Sequence, residues 1–202
     1  MINIACCLWD ANKLSKQFSR HYTEADVCAL YRGFKKHLNV PFRFICWSER
    51  DRDYAEPEIE QRRLRDERPS YGSLTQCYEL NEPTIMVGLD TIIVGNLDHI
   101  AAYCLGAEKP AVPIDPFFPQ TVCNGVTLVP GGNAWLWTED EGQNDMAGSR
   151  DVWKAGRVGA CEPRHGAVQR RRRGRVLRDI PWRAAGVDGG EHGHAVPVPD
   201  GA

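Results

Sequence analysis

Apolar and polar positions along the first half of the chain follow two different periods. Residues 2–8, Ile-Asn-Ile-Ala-Cys-Cys-Leu, form an almost unbroken apolar run, and residues 42–47, Phe-Arg-Phe-Ile-Cys-Trp, form a second. Short runs of this kind, rich in β-branched and aromatic residues, predict strands buried on both faces of a mostly parallel sheet. Between them Val27, Leu30, Tyr31, Phe34 and Leu38 recur at intervals of three and four, which is the apolar stripe of one helix. Thr23 followed by Asp26 supplies a capping-box start, Lys35 and Lys36 suit the negative end of the helix dipole, and Asn39-Val40-Pro41 ends the element. Strand, helix and strand in succession is the βαβ unit of a parallel sheet.

Further along, residues 48–69 carry charges of both signs with little apolar period, as a solvated loop or helix face does. Leu74, Cys77 and Tyr78 have helical spacing within 70–80 and predict a helix leading into the next strand. That strand is the centre of the pattern. Two apolar runs, 85–89 and 91–94, flank a single carboxylate at Asp90, and Gly95-Asn96 turns the chain before Asp98. An acid inside such a run costs several kcal/mol to bury unless it is paired. Asp90 therefore belongs where a buried strand ends and a ligand crevice begins, or it simply caps the strand by accepting backbone N–H bonds. Residues 99–105 form a short amphipathic stretch. Prolines at 110, 113, 116 and 119 argue against a central strand and for an ordered, extended loop, and Asn124-Gly125 reads as a turn before a buried strand.

Composition sharpens this picture at three points. The 202 residues suit one domain, and a formal charge of −2 is far from the basic excess of a protein that coats nucleic acid. No stretch is apolar enough to span a membrane, and the N-terminus lacks the basic and apolar regions of a secretory leader, so a cytoplasmic location is the expectation. The eight cysteines, at 6, 7, 28, 46, 77, 104, 123 and 161, make no C-x-x-C pair and lie mostly inside apolar runs, which predicts buried core thiols rather than zinc ligands or disulfides.

Candidate chemistry gathers at two strand ends. Trp9, Asp10 and Asn12 follow the first strand, where an aromatic and two polar groups can hold a planar base, although Trp9 equally suits a core position. Gly88-Leu-Asp90-Thr-Ile-Ile-Val-Gly95-Asn-Leu-Asp98 resembles the strand and Asp-x-Asp metal motif of GT-A-fold nucleotide-sugar glycosyltransferases of the family 8 type. The order of Leu30-Tyr-Arg-Gly33, Pro41-Phe-Arg-Phe44, Leu89-Asp90-Thr91 and Asn124-Gly-Val126 is similar to that family across residues 1–146. The resemblance implies an α/β, Rossmann-like, mostly parallel sheet flanked by helices. It implies a nucleotide-sugar donor bound by Trp9, Asp10, Asn12 and Asp90, and Mn²⁺ or Mg²⁺ held by Asp90. It puts an acceptor on the side of Asn124, Gly125 and Asp145, within a loose match over Gly142-Gln-Asn-Asp145; the acceptor itself is unknown. Trp135-Leu-Trp137 stands where the family has an aromatic-rich helix. Two positions depart from the pattern: Gly88 replaces the first acid, and Gln76 stands where the family has a lysine. The implied activity is sugar transfer from a nucleotide donor; the alternative is a truncated or inactive relative that binds a nucleotide or acts as an interaction module. Asp98, beyond the turn, is expected to be structural, and Arg32 and Arg43 to be either solvated charges or part of the nucleotide-binding half.

From about residue 147 the composition changes. Half of residues 147–202 are Gly, Ala or Arg, and Arg170-Arg-Arg-Arg173-Gly-Arg175 is a block of like charge. Chain of this kind buries too little apolar surface to offset its conformational entropy, so disorder is expected. Other readings stay open. The Arg block can attract nucleic acid non-specifically through counterion release. His165, His192 and His194 can ligate metal, or the segment can be the product of a shifted reading frame.

Overall fold

The computed structural model describes residues 1–15, 21–115, 118, 121–123 and 125–136, and the backbone of four strands within 159–184. The first apolar run is β1 (Ile2–Cys7) and the second is β2 (Phe42–Ser48), paired in parallel from Ile2 against Phe42 to Cys7 against Trp47. The connection between them is α1 (Glu24–His37), in which the Thr23 N–H donates to Asp26 Oδ2 at 2.8 Å and the Asp26 N–H donates to the Thr23 carbonyl at 3.0 Å. These bonds satisfy donors that a helix start otherwise leaves open. Next come β3 (Ile59–Arg63), parallel to β2, and β4 (Thr84–Val87), which lies parallel to β1 on its other side with Ala5 against Met86. Four parallel strands thus run in the order β3-β2-β1-β4.

The remainder is mixed. A short β5 (Thr91–Ile93) leads to α2 (Asp98–Gly106), then β6 (Ala111–Pro113) and β7 (Val126–Val129), with β7 antiparallel to β4. β6 adjoins β7, β8 (Gly159–Pro163) runs parallel to β6, and β11 (Trp182–Ala184) closes the sheet antiparallel to β8. A second small sheet joins β5, β9 (Val168–Arg172) and β10 (Arg175–Val176). The architecture is the α/β, Rossmann-like, mostly parallel sheet flanked by helices that the sequence leads one to expect.

Successive strand residues face opposite sides, and both sides are covered. Ile2, Ile4, Cys6, Leu8, Phe44, Cys46, Ile85 and Val87 lie with α1 and α2, where Tyr31 meets Phe44 edge-on with ring centroids 5.5 Å apart. Gly33 has a packing reason: a Cβ there would come within 3.0 Å of Ile93 Cγ1, so its absence lets α1 settle onto β5. The other face, Ala5, Cys7, Trp9, Ile45, Trp47 and Met86, packs on Cys77 and Tyr78. The seven cysteines whose side chains are described are all free and buried, in agreement with the core reading.

Three local expectations differ from the structure. Residues 71–80 form a 3-10 helix rather than an α-helix; Gly72 and the hydroxyl-bearing Ser73 and Thr75 are weak helix formers, and Thr75 Oγ1 donates to the Gly72 carbonyl at 2.8 Å. The charged stretch 48–69 contains β3, an edge strand in which Ile59 is buried and the four residues after it are polar and partly or fully exposed. The proline-rich stretch contains β6 inside the sheet, because Pro113 stands at the strand's end and contributes only its carbonyl, which accepts the Cys123 N–H at 2.8 Å. The two apolar runs around Asp90 are, as expected, β4 and β5, with Asp90 in the turn between them. Inside 147–202, β8 to β11 are extended and paired; a sheet edge offers backbone groups to any chain, so such pairing needs no apolar period. The rest of that segment, with Arg173, His165, His192 and His194, lies outside the described residues.

Asp98 is structural, as expected. Its carboxylate accepts the Asn39 N–H at 2.8 Å, Asn39 Nδ2 at 2.7 Å and Asn96 Nδ2 at 2.9 Å, tying the end of α1 to the start of α2. Among the described residues no helix is long and apolar enough to cross a membrane.

Candidate functional site

In an open parallel sheet the ligand crevice lies beyond the carboxyl ends of the strands, at the point where the strand order reverses. Here that point is between β1 and β4: β2 and β3 extend to one side of β1, and β4 to the other. Carrying the register of Ala5 against Met86 forward by two residues sets Cys7 level with Gly88. The residues after Cys7 and after Val87 therefore share one mouth, and these are the stretches with Trp9, Asp10, Asn12 and Gly88, Asp90.

After β4 the chain makes a tight turn, closed by the Thr91 N–H donating to the Gly88 carbonyl at 3.1 Å. The Gly88 N–H donates to the Gly125 carbonyl at 2.9 Å, which draws the start of β7 against the turn. Asp90 is half-buried at the turn's third position. A Cβ built on Gly88 would meet Asp90 Oδ1 at 2.7 Å and the Gly125 oxygen at 3.5 Å. The side chain missing at position 88 would thus abut the one acid the motif retains. Gly125 is brought to the turn, whereas Asn124 and Asp145 lie outside the described residues, as does Trp137.

After β1 the picture differs by residue. Trp9 is 6% exposed, its Nε1 donates to Ser15 Oγ at 2.8 Å, and its ring meets Tyr71 edge-on at 6.2 Å, so it serves as a core wedge beneath the loop. Asn12 holds the loop in shape: its Nδ2 donates to the Pro69 carbonyl at 2.8 Å and its Oδ1 accepts the Leu14 N–H at 2.8 Å. Asp10 is the exposed group of the three. Arg50 Nε donates to its Oδ2 at 2.9 Å and Arg52 Nη2 to its Oδ1 at 3.1 Å. Gln76, at the family's lysine position, is buried and turned to backbone, with its Oε1 accepting the Arg65 N–H at 2.9 Å.

The partners of Asp10 are residues that sequence reasoning missed. Arg52, in a run taken for a solvated face, has a side chain only 2% exposed and also donates to Glu24 Oε1 at 3.0 Å and Glu49 Oε1 at 2.9 Å. A signal was present: Cys7 pairs with Trp47, so three residues further on Asp10 stands level with Arg50. Opposite charges at matched strand ends are the pattern to look for. Arg43, the other charge left open, bridges Glu60 at 2.8 Å and Glu82 at 3.4 Å, while Arg32 reaches Glu56 at 2.8 Å on the surface.

The hydrogen bond from Arg50 holds the Asp10 carboxyl below its ordinary value, and backbone bonding at the helix start does the same for Glu24. Asn39 and Asn96 act likewise on Asp98. A depressed folded-state pKa gives stability that is fully present above the unfolded-state value and is lost as pH falls through the folded-state value. Thermal midpoints should therefore hold steady from pH 7 to about 5 and drop below about pH 4. Asp10→Asn should make that acid limb shallower, and a midpoint flat down to about pH 3 would contradict these ion pairs.

Among the described residues no group of three or more His, Cys, Asp or Glu side chains converges as a metal centre. Asp90 alone is still compatible with Mg²⁺ or Mn²⁺, because such ions are often held by one or two carboxylates with water and substrate phosphates completing the shell.

No protein-family model and no curated protein matches the chain. Solved structures do. The glycosyltransferase GlyE of Streptococcus pneumoniae TIGR4 superposes with a TM-score of 0.53 at 13% identity over 79% of this chain and 44% of that one, and its apo form gives 0.53 at 12%. A Bacillus anthracis protein described as a glucose-1-phosphate thymidylyltransferase, in complex with a sucrose, gives 0.52 at 10% identity over 84% of this chain and 89% of that one. The chain thus has the GT-A-like fold and spans less than half the length of GlyE. That fold serves more than one chemistry.

Proposed function

We propose that the chain binds a nucleotide-sugar donor at the mouth between β1 and β4 and belongs with the glycosyltransferases that transfer the sugar to an acceptor. The observation that carries this reading is the turn holding Gly88 and Asp90 at the strand-order reversal, with Gly125 bonded against it and the loop with Asp10 beside it. In this reading Asp90 holds a divalent cation, which supplies electrophilic stabilisation of the leaving diphosphate when bound. Asp10, fixed by Arg50 and Arg52, contacts the nucleotide. Trp9 and Asn12 shape its loop, and the acceptor enters on the side of Asn124, Gly125 and Asp145. A cytoplasmic location is part of the proposal. The deciding experiment is calorimetric titration with UDP-sugars and GDP-sugars, with and without Mn²⁺, alongside an assay of donor hydrolysis. Metal-dependent binding supports the reading; no binding under either condition defeats it.

A second reading has its own support. With Gly88 in place of an acid, one carboxylate remains in the metal motif, which favours a relative that binds a nucleotide without turning it over. Gly88→Asp separates the two. The new side chain must push the Asp90 carboxylate aside, and two abutting acids repel until a cation lies between them. The variant is expected to be less stable than the wild type without metal, to gain more in thermal midpoint on adding Mn²⁺, and to bind donor on the order of tenfold tighter with Mn²⁺. Metal-independent destabilisation with no gain in affinity would mean that the turn has no metal role.

A further inference from the structure

We propose that Cys7 and Cys77 form a buried dithiol/disulfide couple, a modification site that joins the carboxyl end of β1 to the 3-10 helix. The two Sγ atoms lie 3.6 Å apart, in van der Waals contact, and come from elements 70 residues apart in sequence. Cys7 points from the sheet and Cys77 from the helix packed over it, within the layer that also holds Trp9, Trp47 and Tyr78. Face-to-face approach is what a disulfide needs, since its Cβ atoms stand about 3.5–4.5 Å apart.

The chain holds a built-in contrast. Cys6 and Cys46 are register partners on neighbouring parallel strands. Their thiols also contact one another, and that contact is the first cause that pushes the Cys6 thiol above its ordinary pKa, but both belong to strands of one sheet. Two adjacent thiol pairs thus differ in what a bond would join: Cys6 and Cys46 lie within one sheet, whereas Cys7 and Cys77 link the sheet to the 3-10 helix packed over it.

The co-reactant is a peroxide. A Cys7 thiolate attacks one peroxide oxygen, the O–O bond breaks, and the departing hydroxide takes a proton as water, leaving a sulfenic acid. The Cys77 sulfur then attacks that sulfur, the S–O bond breaks, and a second water leaves with the Cys77 proton. The thiols are oxidised by two electrons and the peroxide is reduced by two. Contact with Cys77 and burial push the Cys7 thiol well above its ordinary pKa, so thiolate is scarce while the layer is closed. Oxidation proceeds through openings of the 3-10 helix, a conformation that is seldom sustained for ten residues. Once formed, the bond ties the helix to the strand end two residues before Trp9.

The test treats the folded full-length chain with hydrogen peroxide, blocks remaining thiols, and maps peptides without reduction. A linked pair containing Cys7 and Cys77 is expected, with a thermal midpoint raised by roughly 5 °C or more. Amide exchange across 71–80 should slow on the order of tenfold, and dithiothreitol should reverse both effects. Cys77→Ser should show neither. A link between Cys6 and Cys46, an unlinked Cys7 sulfinic acid, or an equal midpoint shift in Cys77→Ser overturns the proposal. The peptide map of the wild type decides the matter even if the variant does not fold.

Discussion

Replacing Arg52 with alanine should lower the unfolding free energy by about 3 kcal/mol, more than any other single charge removal in the described part of the chain. The side chain is 2% exposed and its guanidinium donates to Asp10, Glu24 and Glu49, of which Glu49 is itself only 13% exposed. Removing one member of a buried ion cluster leaves its partners desolvated and unpaired, at about 3–5 kcal/mol in fully buried cases. The lower figure applies because Asp10 and Glu24 remain in contact with water, with side chains 62% and 33% exposed. Arg50 compensates only in part, since it already bonds Asp10 at 2.9 Å but stands 3.9 Å from both Glu24 and Glu49. Arg52→Lys should recover less than half, because a single ammonium cannot span three carboxylates as a planar fork does. Urea unfolding midpoints measure both effects. A loss within about 0.5 kcal/mol, the range of an ordinary surface substitution, would show that the cluster does not carry this weight.

The largest effect on binding is expected at Asp90. Asp90→Ala should abolish the Mn²⁺-dependent part of nucleotide-sugar affinity and leave any metal-independent part in place. The reasoning is one of number: a site with two protein carboxylates can lose one and keep a weakened cation, whereas Gly88 leaves this motif with a single acid. Asp90→Asn tests the same point while preserving the shape of the turn, so a fold change in the alanine variant can be told from a lost charge. Calorimetry with and without Mn²⁺ reads both variants against the wild type. Equal metal-dependent affinity in all three would remove Asp90 from the cation site.

What could be read from the sequence was whatever depended on one face of one element. Val27, Leu30, Tyr31 and Phe34 repeat along α1, with Leu38 at its C-cap, and all five are buried. The strand ends carrying Trp9, Asp10, Gly88 and Asp90 were placed correctly because short apolar runs bounded by turn residues have few alternatives. What could not be read depended on partners distant in sequence. Arg52 reads as solvent-facing until Asp10 and Glu24 are folded against it. Trp9 reads equally as a base platform or a core wedge until Ser15 and Tyr71 close over it. β3 and β6 were hidden because an edge strand and a strand end tolerate Arg, Glu and Pro, which local pattern counts against. Gln76 looked like a lost lysine. In place it holds the backbone after β3, a role visible only once that strand is drawn.

The strand order also sets a timetable for synthesis. β1, β2, β3 and β4 form a complete parallel quartet within the first 87 residues, so they can assemble while later chain is still emerging from the ribosome. One side of β4 then waits for β7, which arrives only at Val126. During that interval Ile85, Met86 and Val87 present a bare apolar edge, the kind of template that recruits a second nascent chain. Slow or interrupted translation between the Asp90 turn and Val129 should therefore appear as aggregation, and a chain cut short in that interval should need a chaperone to stay dispersed.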